Sequence, residues 1–129
     1  DIDLILTSPP FFDSTNYYLV NWIRNWFIGW EKEDFFREKD NFVDTIQKSN
    51  LSIYNDIFTK CKSVLNPKGT VVFHLGKSKK LDMGNELLLK AKSIFNSVEL
   101  FNEDVSSVEH HGVVDKGSVS IHQYLVMKD

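Results

Sequence analysis

Asp3-Leu4-Ile5-Leu6-Thr7-Ser8-Pro9-Pro10-Phe11-Phe12 is the stretch on which the fold turns. An apolar run, Leu4 to Leu6, stops at Thr7-Ser8 and then meets two consecutive prolines. A short run of this kind reads as a buried parallel strand. Pro9-Pro10 ends its ladder, because neither proline has an N–H to donate. A residue that precedes proline is driven to extended geometry, so Ser8, Pro9 and Pro10 form a stiff rim at the strand's carboxyl end. In open α/β sheets, ligands bind at that edge. The rim offers a hydroxyl, two carbonyls that no regular ladder need claim, and the ring of Phe11.

Beyond the rim, Asp13-Ser14-Thr15-Asn16 is a polar turn with good helix-capping residues. Leu19, Val20, Trp22, Ile23, Trp26, Phe27 and Trp30 then recur at helical spacing, as a core-facing stripe would, until Gly29 and the charged run 31–34. A short helix is expected around Phe42 to Ile46. Leu51, Tyr54, Ile57, Phe58, Cys61, Val64 and Leu65 mark a strong amphipathic helix, which Asn66-Pro67-Lys68-Gly69 stops. Cys61 lies on the apolar stripe and reads as core rather than nucleophile. Thr70 to Leu75 is β-branched and apolar, the second strand of a parallel crossover. A basic loop, Gly76-Lys77-Ser78-Lys79-Lys80, follows on the same carboxyl edge as the rim. Met83, Leu87, Leu88, Ala91, Ile94 and Phe95 give another helix. Residues 97–101 and 119–127 read as two more strands, separated by a polar segment that holds His110-His111-Gly112.

The 129 residues suffice for one domain with a real core and are too few for two. No apolar stretch approaches the roughly 18 residues of a membrane span, and the first residues do not resemble a secretory signal. A single cysteine excludes an internal disulfide framework and fits a reducing cytoplasm, the expected location. A net charge of −3 gives no general attraction to nucleic acid, so any DNA contact needs a local basic patch. The first strand starts almost at residue 1, which reads as a portion of a longer protein.

Ser8-Pro9-Pro10-Phe11 resembles the catalytic motif of the amino-group DNA methyltransferases, in which Asp, Asn or Ser precedes Pro-Pro and an aromatic residue. Residues 17–30 resemble the helix after that motif in one branch, and 62–76 resemble the approach to the family's fifth strand, with Gly69 followed by Thr70. The final strand resembles the last strand of the methyltransferase sheet, antiparallel to its neighbours. The resemblance implies an α/β fold: the second half of a Rossmann-like sheet, mostly parallel with an antiparallel last strand and helices on both faces. Residues 1–129 would be the single target-base portion of that domain.

The implied reaction moves a methyl group from S-adenosylmethionine to the exocyclic N4 of cytosine in DNA, in a restriction–modification setting. N6 of adenine is the alternative target, and Ser at the first motif position is commoner in the cytosine branch. The amine's lone pair is delocalised into the base. Two acceptors, the Ser8 hydroxyl and a carbonyl of Pro9 or Pro10, would each take one N–H and expose that lone pair. The base must leave the duplex at a cost of a few kcal/mol, and a stacking ring returns roughly 1–3 kcal/mol. Phe11 is the motif residue for that role and Phe12 a second candidate. Lys77, Lys79 and Lys80 are expected to meet phosphates.

The family's glycine-rich cofactor turn is absent: six glycines contain no Gly-x-Gly. No residue here can be assigned to the adenosine or ribose. The chain therefore reads as needing a cofactor-binding half, on the same protein or on a partner chain, and as inactive alone. His74, His110, His111 and His122 lack zinc-site spacing, and no metal is expected. Two other readings stand beside this one. A methyltransferase of the same fold acting on RNA or protein glutamine generally carries Asn where Ser8 stands, and a non-catalytic remnant would bind DNA or a partner chain.

Overall fold

The computed structural model describes residues 2–13, 16–104 and 119–129. Four strands, β1 (Ile2–Thr7), β2 (Leu65–Ser78), β3 (Ser97–Asp104) and β4 (Val119–Lys128), form one sheet in the order β1-β2-β4-β3. β1 and β2 are adjacent and parallel, as expected, and β4 runs antiparallel to both of its neighbours. Three strands thus point one way and the last is reversed. By pairing, however, only the β1–β2 ladder is parallel, so the sheet is mixed.

Among the described residues six α-helices intervene, α1 (Tyr17–Val20), α2 (Trp22–Phe27), α3 (Lys32–Glu38), α4 (Val43–Ser49), α5 (Ile53–Val64) and α6 (Met83–Ala91), with a 3-10 turn at Lys39–Asn41. The core forms where α5 and α6 lie on the sheet. Tyr54 and Phe58 of α5 and Met83, Leu87 and Ala91 of α6 meet Val71, Phe73 and Leu75 of β2 and Leu125 and Met127 of β4, all buried. Burying each large side chain here is worth about 1.5–3 kcal/mol. Cys61 packs against this cluster, and burial pushes its thiol up.

Helices were expected on both faces, and among the described residues the packed helices share one. Strand alternation sends Val71, Phe73 and Leu75 inward and sends Val72 and His74 to the opposite face. There Leu4 and Leu6 are 57% and 70% exposed, so β1 is an edge strand and not the buried one its apolar run predicted, and Phe101 is 52% exposed. Soluble chains seldom leave such a face bare without a partner for it.

The tryptophan stripe also departs from expectation. It does not form a single core helix: Asn21 ends α1 and starts α2, with its amide donating to the Tyr17 carbonyl. Trp22, Trp26 and Phe27 stand exposed. Trp30 instead meets Phe35 and Phe42 edge-on, beside Tyr18, in a small satellite cluster. Gly29, at φ +96, turns the chain there.

The Asn-Pro-Lys-Gly turn survives as an excursion inside β2. Ile2 pairs with Leu65 while Leu4 pairs with Thr70, so residues 66–69 bulge from the ladder. Gly69 is required there, since an added Cβ would come within 2.6 Å of the Leu65 side chain. No helix among the described residues is long and apolar enough to cross a membrane.

Candidate active site

β1 carries the chain to Thr7, opposite Phe73 of β2, and the prolines end the pairing there. Ser8 therefore sits beside the next outward residue of β2, His74. Ser8 Oγ lies 3.3 Å from His74 Nδ1, within hydrogen-bonding distance. The imidazole is boxed by rings. Phe11 stands edge-on at 5.3 Å, His122 edge-on at 4.7 Å, and Tyr124, its partner across the β2–β4 ladder, stacks at 5.1 Å. His74 Nε2 is buried with no hydrogen-bond partner among the described residues. Burial and the neighbouring His122 hold His74 below its ordinary value, against an opposing pull from the Glu103 carboxylate. The Tyr124 hydroxyl donates to Glu103 at 2.7 Å, and that bond pushes its own titration up.

A second set of contacts fixes the prolines from the core side. Gln47 of α4 donates through Nε2 to the Pro10 carbonyl at 3.2 Å, and the Tyr54 hydroxyl donates to Gln47 Oε1 at 2.9 Å. Both side chains are buried. Neighbouring Asp44 accepts from the Tyr17 backbone N–H at 3.0 Å, tying the end of the loop to the same helix. Of the two proline carbonyls, then, Pro10's is already drawn toward the core.

Phe11 and Phe12 part company. Phe11 is half-buried on the open face, near His74, His122 and Gly76; a Cβ on Gly76 would come within 3.0 Å of the Phe11 ring. Phe12 turns to the covered face and packs against the hydrophobic core. Asp13 holds a left-handed φ of 54°, uncommon outside glycine. Its carboxylate pairs with Lys80 and, at 3.6 Å, with Lys48. The Lys80 hydrogen bond and charge hold Asp13 below the usual carboxylate value.

That pairing brings the basic loop against the rim, with its lysines partly engaged. Lys77 binds Asp82 at 2.8 Å and Lys80 binds Asp13, whereas Lys79 is exposed with no ion pair to a described carboxylate. Asp82 also caps α6, accepting from the Asn85 N–H. Burial alone would raise its pKa, but hydrogen bonds from Lys77, Gln123 and Asn85 outweigh that and bring it to about 2.

Ser8, Pro9, Pro10 and Phe11 thus share one edge with the basic loop, and Phe12 leaves it. Chemically, the edge presents a hydroxyl backed by an imidazole, a stiff carbonyl and an aromatic wall. The sequence reading missed His74 as a partner of Ser8, Gln47 as the anchor of Pro10, and the His122–Tyr124 wall. Strand alternation through Val71-Val72-Phe73-His74 is the signal that placed His74 outward. His110 and His111 lie outside the described residues. Among the described residues no three His, Cys, Asp or Glu side chains come together to hold a metal. No family model matches this chain, and no curated protein or solved structure matches it either.

Proposed function

We propose that this chain is the target-base half of an S-adenosylmethionine-dependent DNA methyltransferase acting on the exocyclic N4 of cytosine. The observation that carries the reading is the position of Ser8-Pro9-Pro10-Phe11 directly after β1, at its carboxyl end beside β2, with the Pro10 carbonyl held by Gln47. Two acceptors there, the Ser8 hydroxyl and a proline carbonyl, take the two N–H bonds of an exocyclic amine, draw its nitrogen out of conjugation and aim its lone pair at a sulfonium methyl. Gln47 supports this role by holding Pro10 from behind, because a misplacement of about 1 Å costs roughly a hundredfold in rate. Phe11 supplies the wall for an extruded base, and Lys79 is the cation best placed to meet phosphate. The antiparallel last strand agrees with the resemblance seen in the sequence.

The bare sheet face supports a missing cofactor-binding half. An apolar surface of that kind suits a complementary layer of helices from the same protein or a partner chain. The target is assigned to cytosine from Ser8 alone, and N6 of adenine is the second reading.

The test is transfer of tritiated methyl from S-adenosylmethionine to duplex DNA by the complete enzyme, with a melting curve for each variant. Phe11→Ala is expected to weaken productive base binding by the ~1–3 kcal/mol of a stacking ring, with cofactor affinity unchanged. Ser8→Ala is expected to lower kcat far more than it alters KM. A destabilised but fully active Phe11→Ala enzyme would remove the catalytic assignment. Digestion of the labelled DNA to nucleosides separates cytosine from adenine.

A further inference from the structure

Serine poses a problem at this position that a carboxylate would not. An ionised carboxylate only accepts hydrogen bonds, whereas a hydroxyl also carries a proton that it must give to something. If that proton points at the incoming amine, Ser8 opposes the N–H it is meant to accept. The hydroxyl therefore needs a fixed acceptor on its other side, and His74 Nδ1 is 3.3 Å away.

We propose that His74 is a positioning residue for methyl transfer, accepting the Ser8 hydroxyl proton so that the Ser8 lone pairs face the target amine. The proposal rests on the methyltransferase reading. In the reacting complex the amine lone pair forms the bond to the methyl carbon. The carbon–sulfur bond breaks, and its electrons stay on sulfur as a thioether. The methylated amine then loses a proton to water, while the Ser8 proton stays on Oγ, held by its hydrogen bond to His74 Nδ1.

Every neighbour of the imidazole fits a neutral ring that accepts at Nδ1. Phe11 and Tyr124 are uncharged walls, His122 faces it edge-on, and Ser8 meets Nδ1. Among the described residues, the acidic group that bears on it is Glu103, which already accepts from the Tyr124 hydroxyl. On this proposal the ring proton sits on Nε2, which is buried with no hydrogen-bond partner among the described residues. Burial and His122 hold the ring below its ordinary value, which favours the neutral form. In acid, a protonated Nδ1 would donate to Ser8 and occupy the lone pair that the amine needs.

Two experiments test the inference independently. In the 129-residue chain, imidazole nitrogen shifts from two-bond correlation spectra are expected to show His74 Nδ1 unprotonated, with a shift that moves in Ser8→Ala. A proton on Nδ1, or a shift blind to Ser8→Ala, would overturn the proposal and leave the methyltransferase reading untouched. In the complete enzyme, His74→Phe removes the acceptor and is expected to lower kcat at least roughly tenfold with KM for DNA within about twofold. His74→Asn keeps an acceptor near the Nδ1 position without titrating. It is expected to restore most of kcat and to abolish the acid limb of the kcat–pH profile. A folded His74→Phe enzyme with unchanged kcat, or an acid limb that persists in His74→Asn, would sink the positioning role. No methyl transfer by the unsubstituted enzyme on any nucleic acid would instead sink the reading beneath it.

Discussion

Gln47 is 1% exposed and spends its amide on two groups, the part-buried Pro10 carbonyl and the buried Tyr54 hydroxyl. Gln47→Leu keeps similar bulk and strands both. Each orphaned buried group costs about 1–3 kcal/mol, so the melting temperature is expected to fall by several degrees. Tyr54→Phe frees only the amide oxygen of Gln47 and should cost less; equal losses in the two variants would place the weight on Tyr54 rather than on the Pro10 anchor. His74 adds a pH dependence whose sign follows from its lowered value. The folded chain binds that proton less readily than the unfolded chain. The stability it contributes is present above the unfolded value near 6.5 and is lost as pH falls through the folded value. Chemical denaturation at pH 7.5 and at successively lower pH is expected to show this loss in the unsubstituted chain and a smaller one in His74→Asn. Equal slopes would place the titration elsewhere. Ser8, Pro9, Pro10 and Phe11 were legible in the sequence because their meaning is local: proline stiffness and the end of an apolar run. Gln47 and His74 were not, because their partners lie 37 and 66 residues away along the chain.

Elements reveal where local pattern suffices and where packing overrides it. The parallel β1–β2 pair and the amphipathic α5 follow from an apolar run, a periodic stripe and a Pro-Gly stop, all written within about 20 residues. The single helix expected over residues 17–30 failed because periodicity reports a shared face and says nothing about what that face meets. Asn21, able to satisfy its own turn by donating to the Tyr17 carbonyl, broke the helix instead. Asn66 to Gly69 read as a turn and became a bulge because Leu65 still pairs with Ile2. The start of α6 depends on a contact no local pattern records. The Gly84 N–H donates to Oε1 of buried Gln123 at 2.8 Å, and a Cβ on Gly84 would lie 2.7 Å from that amide. Gln123 also donates to Asp82 and Asn102, so it cannot swing aside without breaking bonds to α6, to its cap Asp82 and to β3. Gly84→Ala is therefore expected to cost about 1–3 kcal/mol despite alanine's better helix propensity. Gly84→Ala combined with Gln123→Ala should cost less than the sum of the single changes, measured by urea denaturation. Strict additivity would show that the Gly84–Gln123 approach is not the source of the loss.

At the scale of the whole molecule, one sheet face is a core and the other is bare. Leu6 pairs across the sheet with Val72, then Val126, and Phe101 stands beside Tyr124 on the same side. The alternation that buries Phe73 and Leu75 on one side must raise an apolar row on the other, and no described helix covers it. That asymmetry was illegible in the sequence: apolar residues on both faces of a strand imply two covers, and one can lie on another part of the protein. It also yields a sharp expectation. Leu6→Lys and Phe101→Lys place charge where the isolated chain already meets water. Each should alter its stability by no more than about 0.5 kcal/mol, while binding of an apolar dye and self-association fall. Leu125→Lys, on the covered face, should leave the chain unfolded, because an unpaired charge would enter the core. If the proposed cofactor-binding half covers this face, the first two lysines would lie beneath it, so assembly with that half, read by co-purification, should weaken at least tenfold. If Leu6→Lys instead destabilises the isolated chain as severely as Leu125→Lys, the face is already covered in solution and needs no second half. If the chain tolerates it and assembly is unchanged, the cofactor half docks elsewhere.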